Sequence, residues 1–204
     1  MAFCHVQMDY SLPTISLDFY GASMIYNEDG LERLKTVNAG HVICDPDYVN
    51  QPHIDLYKKH CKGNIIVFCD PLLRPPGSEK PSEVLIWLKP VSTKWTTKRC
   101  NAFFEEILVF KGKPKPVYNP IHWSSMSGMF TDTFISKPDH PYAKPISMFE
   151  KLILMYTNPG DLVFDPFCGS GTTGIACKKH GRRFVGCEID PKRFQMATLA
   201  YANA

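Results

Sequence analysis

The chain has 204 residues, a length that fits one α/β domain or two small ones; with 44% of them hydrophobic and 21% charged, the balance is that of a globular protein and excludes disorder, collagen and coiled coil. The longest apolar stretches, around Ile65–Cys69 and Leu152–Tyr156, are far too short to span a bilayer, which needs roughly 18 residues or more. The net charge of +3 is too small to imply a polyanionic partner by itself.

The first ten residues lack a basic stretch followed by an apolar one, so a cytoplasmic protein without membrane contact is expected. Eight cysteines (4, 44, 61, 69, 100, 168, 177 and 187) contain no Cys-x-x-Cys pair. Reduced core thiols are expected, with no metal site.

In chain order, Ser23–Asn27 is a weak strand candidate, followed by apolar strands at His41–Asp45 and Asn64–Cys69. Asp70–Pro81 holds four prolines and reads as a loop. Glu83–Leu88 and Phe103–Phe110 are the next strands. Around them, from Lys89 to Lys115, lie seven basic residues (Lys89, Lys94, Lys98, Arg99, Lys111, Lys113 and Lys115) against Glu105 and Glu106. With Trp95 among them, this stretch suits two roles: tracking phosphates while stacking on a base, or a solvated edge hairpin whose lysines oppose aggregation. Gly112–Pro145, with six prolines, shows little apolar periodicity, and loops of that length are often functional.

Beyond it, Phe149, Leu152, Ile153 and Tyr156 follow helical spacing and give one apolar face. Asp161–Asp165 and Arg183–Glu188 read as strands flanking a helix at Thr172–His180, with Gly181 placed for a left-handed cap. Asp190 and Pro191 form a cap and first-turn pair opening a last helix to about Tyr201. Strands alternating with helices predict a largely parallel sheet.

Two motifs carry chemistry. In Leu162-Val-Phe-Asp165-Pro166-Phe167-Cys168-Gly169-Ser-Gly171-Thr172-Thr173-Gly174 a strand enters a glycine-rich turn and then a helix, and glycines there admit a ligand that a Cβ would hold away. Glu188 ends the next strand, where a carboxylate can take two ribose hydroxyls. The glycines also spell the dinucleotide pattern G-x-G-x-x-G. A carboxylate at Asp165, however, would repel a pyrophosphate and attract a sulfonium, and only 16 residues follow Glu188. S-adenosylmethionine therefore fits better than NAD. The second motif is Asp45-Pro46-Asp47-Tyr48, at the end of an apolar strand. In an open α/β sheet ligands sit off the carboxyl ends of strands, so this acid and aromatic could lie beside the glycine turn; alone, Asp45-Pro46 is equally an ordinary strand exit.

Together the motifs resemble the amino-group DNA methyltransferases of permuted order, acting on adenine N6 or cytosine N4, in which a catalytic Asp-Pro-Pro-Tyr or Ser-Pro-Pro-Tyr precedes the cofactor motif. His140-Pro-Tyr-Ala-Lys144-Pro145 resembles that family's His-Pro-x-x-Lys-Pro, Met148–Leu154 its following helix, and Pro159 to Thr173 its glycine signature. Gly186-Cys-Glu188-Ile-Asp190 resembles its ribose-binding strand end, and Tyr26-Asn-Glu-Asp29-Gly30-Leu31 the segment before the catalytic strand.

The resemblance implies a Rossmann-like, open, twisted, mostly parallel sheet with an antiparallel edge hairpin, the fold of S-adenosylmethionine-dependent methyltransferases. It implies one minimal domain over 1–204, with a catalytic half near 25–110, a short recognition region near 112–140 and a cofactor half near 140–204. It further implies methyl transfer to adenine N6 in duplex DNA with an extruded base, or in single-stranded DNA. Asp45, Pro46, Asp47 and Tyr48 are the implied catalytic residues: Asp45 and the Pro46 carbonyl accept the amine hydrogens and Tyr48 stacks on the base. Asp29, Lys144, Asp165, Pro166, Phe167, Cys168, Gly169, Gly171, Thr172, Thr173 and Glu188 would bind the cofactor, Lys144 meeting its carboxylate or a DNA phosphate. Lys94, Trp95, Lys98, Arg99, Lys113 and Lys115 would contact nucleic acid. A homodimer is left open. Asp47 departs from the family's second proline and replaces a φ-locked residue by a charge. The alternatives are cytosine-N4 transfer, or a nucleic-acid-binding protein that keeps the cofactor fold without turnover.

Overall fold

The computed structural model describes residues 23–46, 53–71, 79–89, 104–113, 117–120, 128–131 and 144–204. Its elements run β1 (Met24–Tyr26), α1 (Gly30–Leu34), β2 (His41–Cys44), α2 (Ile54–His60), β3 (Ile65–Cys69), β4 (Glu83–Leu88), β5 (Phe104–Phe110), β6 (Met129–Phe130), α3 (Ile146–Tyr156), β7 (Leu162–Asp165), α4 (Thr172–Lys179), β8 (Arg183–Cys187) and α5 (Pro191–Ala202).

One sheet of order β1-β8-β7-β2-β3-β5-β4-β6 organises these elements. The five strands from β1 to β3 are mutually parallel. β5 runs antiparallel to both β3 and β4, and β6 pairs parallel with β4. The expected edge hairpin is therefore flanked on both sides: β5 is an interior strand, and the two-residue β6, inside the proline-rich stretch read as irregular, lies outside β4.

Both faces of the sheet are covered, which is why its central strands are continuous apolar runs rather than alternating ones. Ile43, Ile66, Phe68, Trp87, Ile107 and Val109 pack with α3, α4 and α5. Val42, Cys44, Ile65, Val67, Leu108 and Phe164 pack with α1 and α2 on the other face. The six described cysteines, at 44, 61, 69, 168, 177 and 187, are buried free thiols.

The helix ends follow their sequence signals. The Asp190 side chain accepts from the amides of Lys192 and Arg193 with Pro191 in the first turn, and Gly181 has φ +70° just past α4. Neither the short α1 nor α2 is predicted by the sequence pattern; α2 shows why. It has seven residues and buries only Ile54 and Tyr57, too little periodicity to register as a helix in sequence. No helix is long and apolar enough to cross a membrane among the described residues.

At the amino end of the sheet a buried histidine joins β2 to the residue before β7. His41 Nδ1 accepts from the Asn64 amide at 3.0 Å, which leaves Nε2 to donate to Asp161 Oδ2 at 3.0 Å. Burial holds His41 below its ordinary pKa of 6.5, against the pull of Asp161. The unfolded chain therefore binds a proton at a pH where the folded one does not. The histidine's contribution is complete above about pH 6.5 and declines as the pH falls from there toward the folded-state value. Urea unfolding between pH 5 and 8 should show this decline, at no more than about 1.4 kcal/mol per pH unit, and the His41→Gln variant should lack it.

Candidate active site

β7 and β2 are adjacent and parallel, in the register His41↔Val163 and Val42↔Phe164. The chain leaves β7 through α4 to β8 on one side, and leaves β2 through α2 to β3 on the other. This is the point where a doubly wound sheet opens a crevice at its carboxyl edge. Asp45 and Pro46, just past β2, and Asp165, the last residue of β7, are thereby brought to one edge from 120 positions apart. Asp47 and Tyr48 lie outside the described residues, as do Lys94, Trp95, Lys98, Arg99 and Lys115.

The glycine turn is braced from within. Asp165 is 3% exposed; its Oδ1 accepts from the Phe167 amide at 3.0 Å and its Oδ2 from Thr173 Oγ1 at 2.6 Å. Burial pushes its carboxyl up to about 7, with the Thr173 and Phe167 hydrogen bonds opposing. Where the sequence suggests a carboxylate facing a cationic ligand, both oxygens point inward and hold the turn to the start of α4. Gly171 caps α4 at φ +83°, in the left-handed region, and gives no side chain to the first-turn amides. A Cβ there would sit 3.2 Å from the Ala197 carbonyl oxygen.

Cys168 and Gly169 tie this turn to the end of β8. The Cys168 amide donates to the Cys187 carbonyl at 2.8 Å, and the Gly169 amide to Glu188 Oε2 at 3.0 Å. Glu188 Oε1 accepts from the Asp190 amide at 2.9 Å. Each carboxylate oxygen has two acceptor sites, so two remain for ligand hydroxyls. Asp29 Oδ1 caps α1, accepting from Leu31 and Glu32 amides at 2.8 and 3.3 Å. Gly30, next to Asp29, presses on the turn: a Cβ there would lie 2.1 Å from the Pro166 carbonyl oxygen.

Asp45 has its own surroundings. Lys144 Nζ donates to Asp45 Oδ2 at 2.6 Å and stands 3.1 Å from Glu105 Oε2. Phe68 and Trp87 flank the ammonium, their ring centres 5.0 and 5.7 Å away. Burial acts against charge on Lys144, but the Asp45 and Glu105 carboxylates outweigh it and raise its pKa. Desolvation raises Asp45 above the usual carboxylate value, with Lys144 opposing. The ammonium that the resemblance sends to a cofactor carboxylate or a phosphate is thus committed to two acids of the chain itself. Of the basic stretch, Lys89 pairs with Glu105 at 2.6 Å and Lys111 with Glu83, so neither is a loose surface charge; Lys113 is exposed.

A family model described as DNA methylase matches residues 34–199. The chain belongs to this DNA methylase family. It is 45% identical over 58 residues to the DNA adenine methyltransferase YhdJ of Escherichia coli K12, an alignment covering 28% of this chain and 20% of that protein. The chain thus matches about a fifth of that relative's length. The crystal structure of the M1.HpyAVI–SAM complex superposes with a TM-score of 0.67 at 27% identity, over 86% of this methylase-family chain and 98% of the other. PvuII DNA methyltransferase, described as cytosine-N4-specific, shares the fold at a TM-score of 0.71 and 17% identity, over 90% of each chain.

Proposed function

We propose that this DNA methylase-family chain transfers the methyl group of S-adenosylmethionine to the exocyclic N6 amine of adenine in DNA. The observation that carries the reading is the meeting of Asp45-Pro46 and the glycine turn at the seam of β2 and β7. The residues suit the cofactor: a turn held open by Gly171, a partly satisfied Glu188 carboxylate, and α4 amides with no side-chain cap. When bound, S-adenosylmethionine supplies an electrophilic methyl group on a sulfonium.

An amine conjugated to its ring is a poor nucleophile because its lone pair is delocalised. The Asp45 carboxylate and the Pro46 carbonyl accept its two hydrogens, draw the nitrogen toward tetrahedral geometry and aim the lone pair. The displacement needs no covalent enzyme intermediate, and its rate comes from positioning and electrostatics. Tyr48 stacks on the base, which leaves the duplex to reach the pocket. An aspartate first in the tetrapeptide, together with the likeness to an adenine methyltransferase, supports adenine.

Incubating the protein with labelled S-adenosylmethionine and DNA, followed by nucleoside analysis, tests this. N6-methyladenine is the expected product. N4-methylcytosine would move the specificity to cytosine, and cofactor binding without transfer would make the chain a nucleic-acid-binding protein. In calorimetry, Glu188→Ala should weaken S-adenosylmethionine binding by about 1.5–3 kcal/mol, the scale of hydrogen bonds to a charged group. Equal affinities would remove Glu188 from the site. Replacing Lys94, Lys98 and Arg99 together with Ala should weaken DNA binding across sequences and flatten its salt dependence. An unchanged slope would return these residues to ordinary surface.

A further inference from the structure

Four charges alternate in sign behind the crevice, each from a different element: Asp45 after β2, Lys144 ahead of α3, Glu105 in β5 and Lys89 after β4. The Lys144 and Glu105 side chains are 7% and 5% exposed, that of Asp45 32%. The inner pair is shut away while Asp45 keeps part of its carboxylate accessible. A buried ammonium with one partner cannot give that partner up without a large desolvation penalty; one shared by two carboxylates can move toward either. The Phe68 and Trp87 rings beside Lys144 present π faces that favour a cation.

We propose that Glu105 is a positioning residue for methyl transfer: it holds Lys144 as a movable counter-ion, so that Asp45 Oδ2 passes to the target amine while Lys144 remains paired. This inference rests on the reading of Asp45 as acceptor of the amine hydrogens. As the N–C bond forms and the S–C bond breaks, the S–C electron pair stays on sulfur and the methylated nitrogen becomes cationic. It sheds one proton to Asp45, which neutralises that carboxylate. Lys144 is then matched by Glu105 alone, and Asp45 returns the proton to solvent after release.

The titratable groups around Asp45 among the described residues are Lys144, Glu105 and Lys89, Asp165 across the seam and the neighbouring Cys44 thiol. Glu105 acts on Asp45 to raise its pKa and Lys144 to lower it. Glu105→Gln should therefore move the Asp45 titration to lower pH, and Lys144→Met to higher pH, when the carboxyl carbons are followed by carbon-13 NMR. That measurement needs no turnover. In assays, Glu105→Gln should lower kcat about tenfold or more, leave KM for S-adenosylmethionine unchanged, and shift the acid limb of the rate profile with the NMR midpoint. Glu105→Asp, which keeps the charge but retracts it, should give the same changes to a smaller degree and serves if the glutamine variant does not fold. An Asp45 midpoint and acid limb unmoved in either folded Glu105 variant would overturn the inference. With Asp45→Ala inactive, that result removes the inference alone; an active Asp45→Ala removes the amine-acceptor reading and the inference with it.

Discussion

Asp45→Ala should reduce methyl transfer by roughly 10²–10³-fold, the cost of removing one preorganised group from a developing charge, while S-adenosylmethionine affinity stays near wild type. The two effects separate because the glycine turn is built without Asp45: its braces are the Asp165 bonds to Phe167 and Thr173 and the Glu188 bond to the Gly169 amide. The fold should survive as well, since Lys144 keeps Glu105 at 3.1 Å as a counter-ion. Single-turnover rates with calorimetric cofactor affinities provide the check. Substantial transfer by a folded Asp45→Ala protein would place the essential acid elsewhere.

Gly30→Ala should destabilise the protein by about 3 kcal/mol, the upper part of the usual range for forcing atoms into filled space. For a chain of this size that corresponds to a fall in Tm of roughly 6–12 °C. The added methyl would meet the Pro166 carbonyl oxygen, Cα and carbonyl carbon at 2.1, 2.5 and 2.6 Å. These are backbone atoms of the glycine-turn segment, and no side chain can swing aside to relieve the clash. The cost must appear either in unfolding or as a displaced Asp165–Phe167 turn that binds S-adenosylmethionine poorly. Thermal melts and calorimetry on one preparation distinguish the two, and a variant with wild-type values in both would mean that α1 slides freely over the turn.

The parallel half of the fold was legible because strands covered on both faces leave continuous apolar runs, and because the turns between them carry capping residues with fixed meanings. Asp190-Pro191 and Gly181 lie where such signals put them. The order of β4, β5 and β6 was not legible, since nothing local to Phe104–Phe110 reveals that β3 lies on one side and β4 on the other. The glycine turn and Glu188 stand out in the sequence as candidates because their chemistry is contiguous or one strand away.

Glu105 was missed for the opposite reason. Its partner Lys144 lies far along the chain, and in sequence a glutamate among lysines reads as surface charge balance. One signal was present. Glu105 is in phase with the buried Ile107 and Val109, so its face of the strand leaves it no solvated side. An acid so placed must have a partner. Gly30 lies in the Tyr26–Leu31 segment that carries the resemblance, but its role, to let two backbones approach, has no local signal, because that contact exists only once α1 lies on the turn.

The imidazole at the far edge of the sheet has a geometric consequence for the reaction. On the proposed reading, the acceptor group follows the strand ending at Cys44 and the donor cradle the strand ending at Asp165, so their alignment is only as accurate as the pairing of those two strands. A slip of one residue between them would shift one against the other by about 3.3 Å, whereas a misplacement near 1 Å already costs about a hundredfold in rate. His41, bonded to Asp161 on the neighbouring strand's approach and to the Asn64 amide beyond, is a registration pin. On that reading it fixes, from one end of the ladder, the distance over which the methyl group would travel at the other.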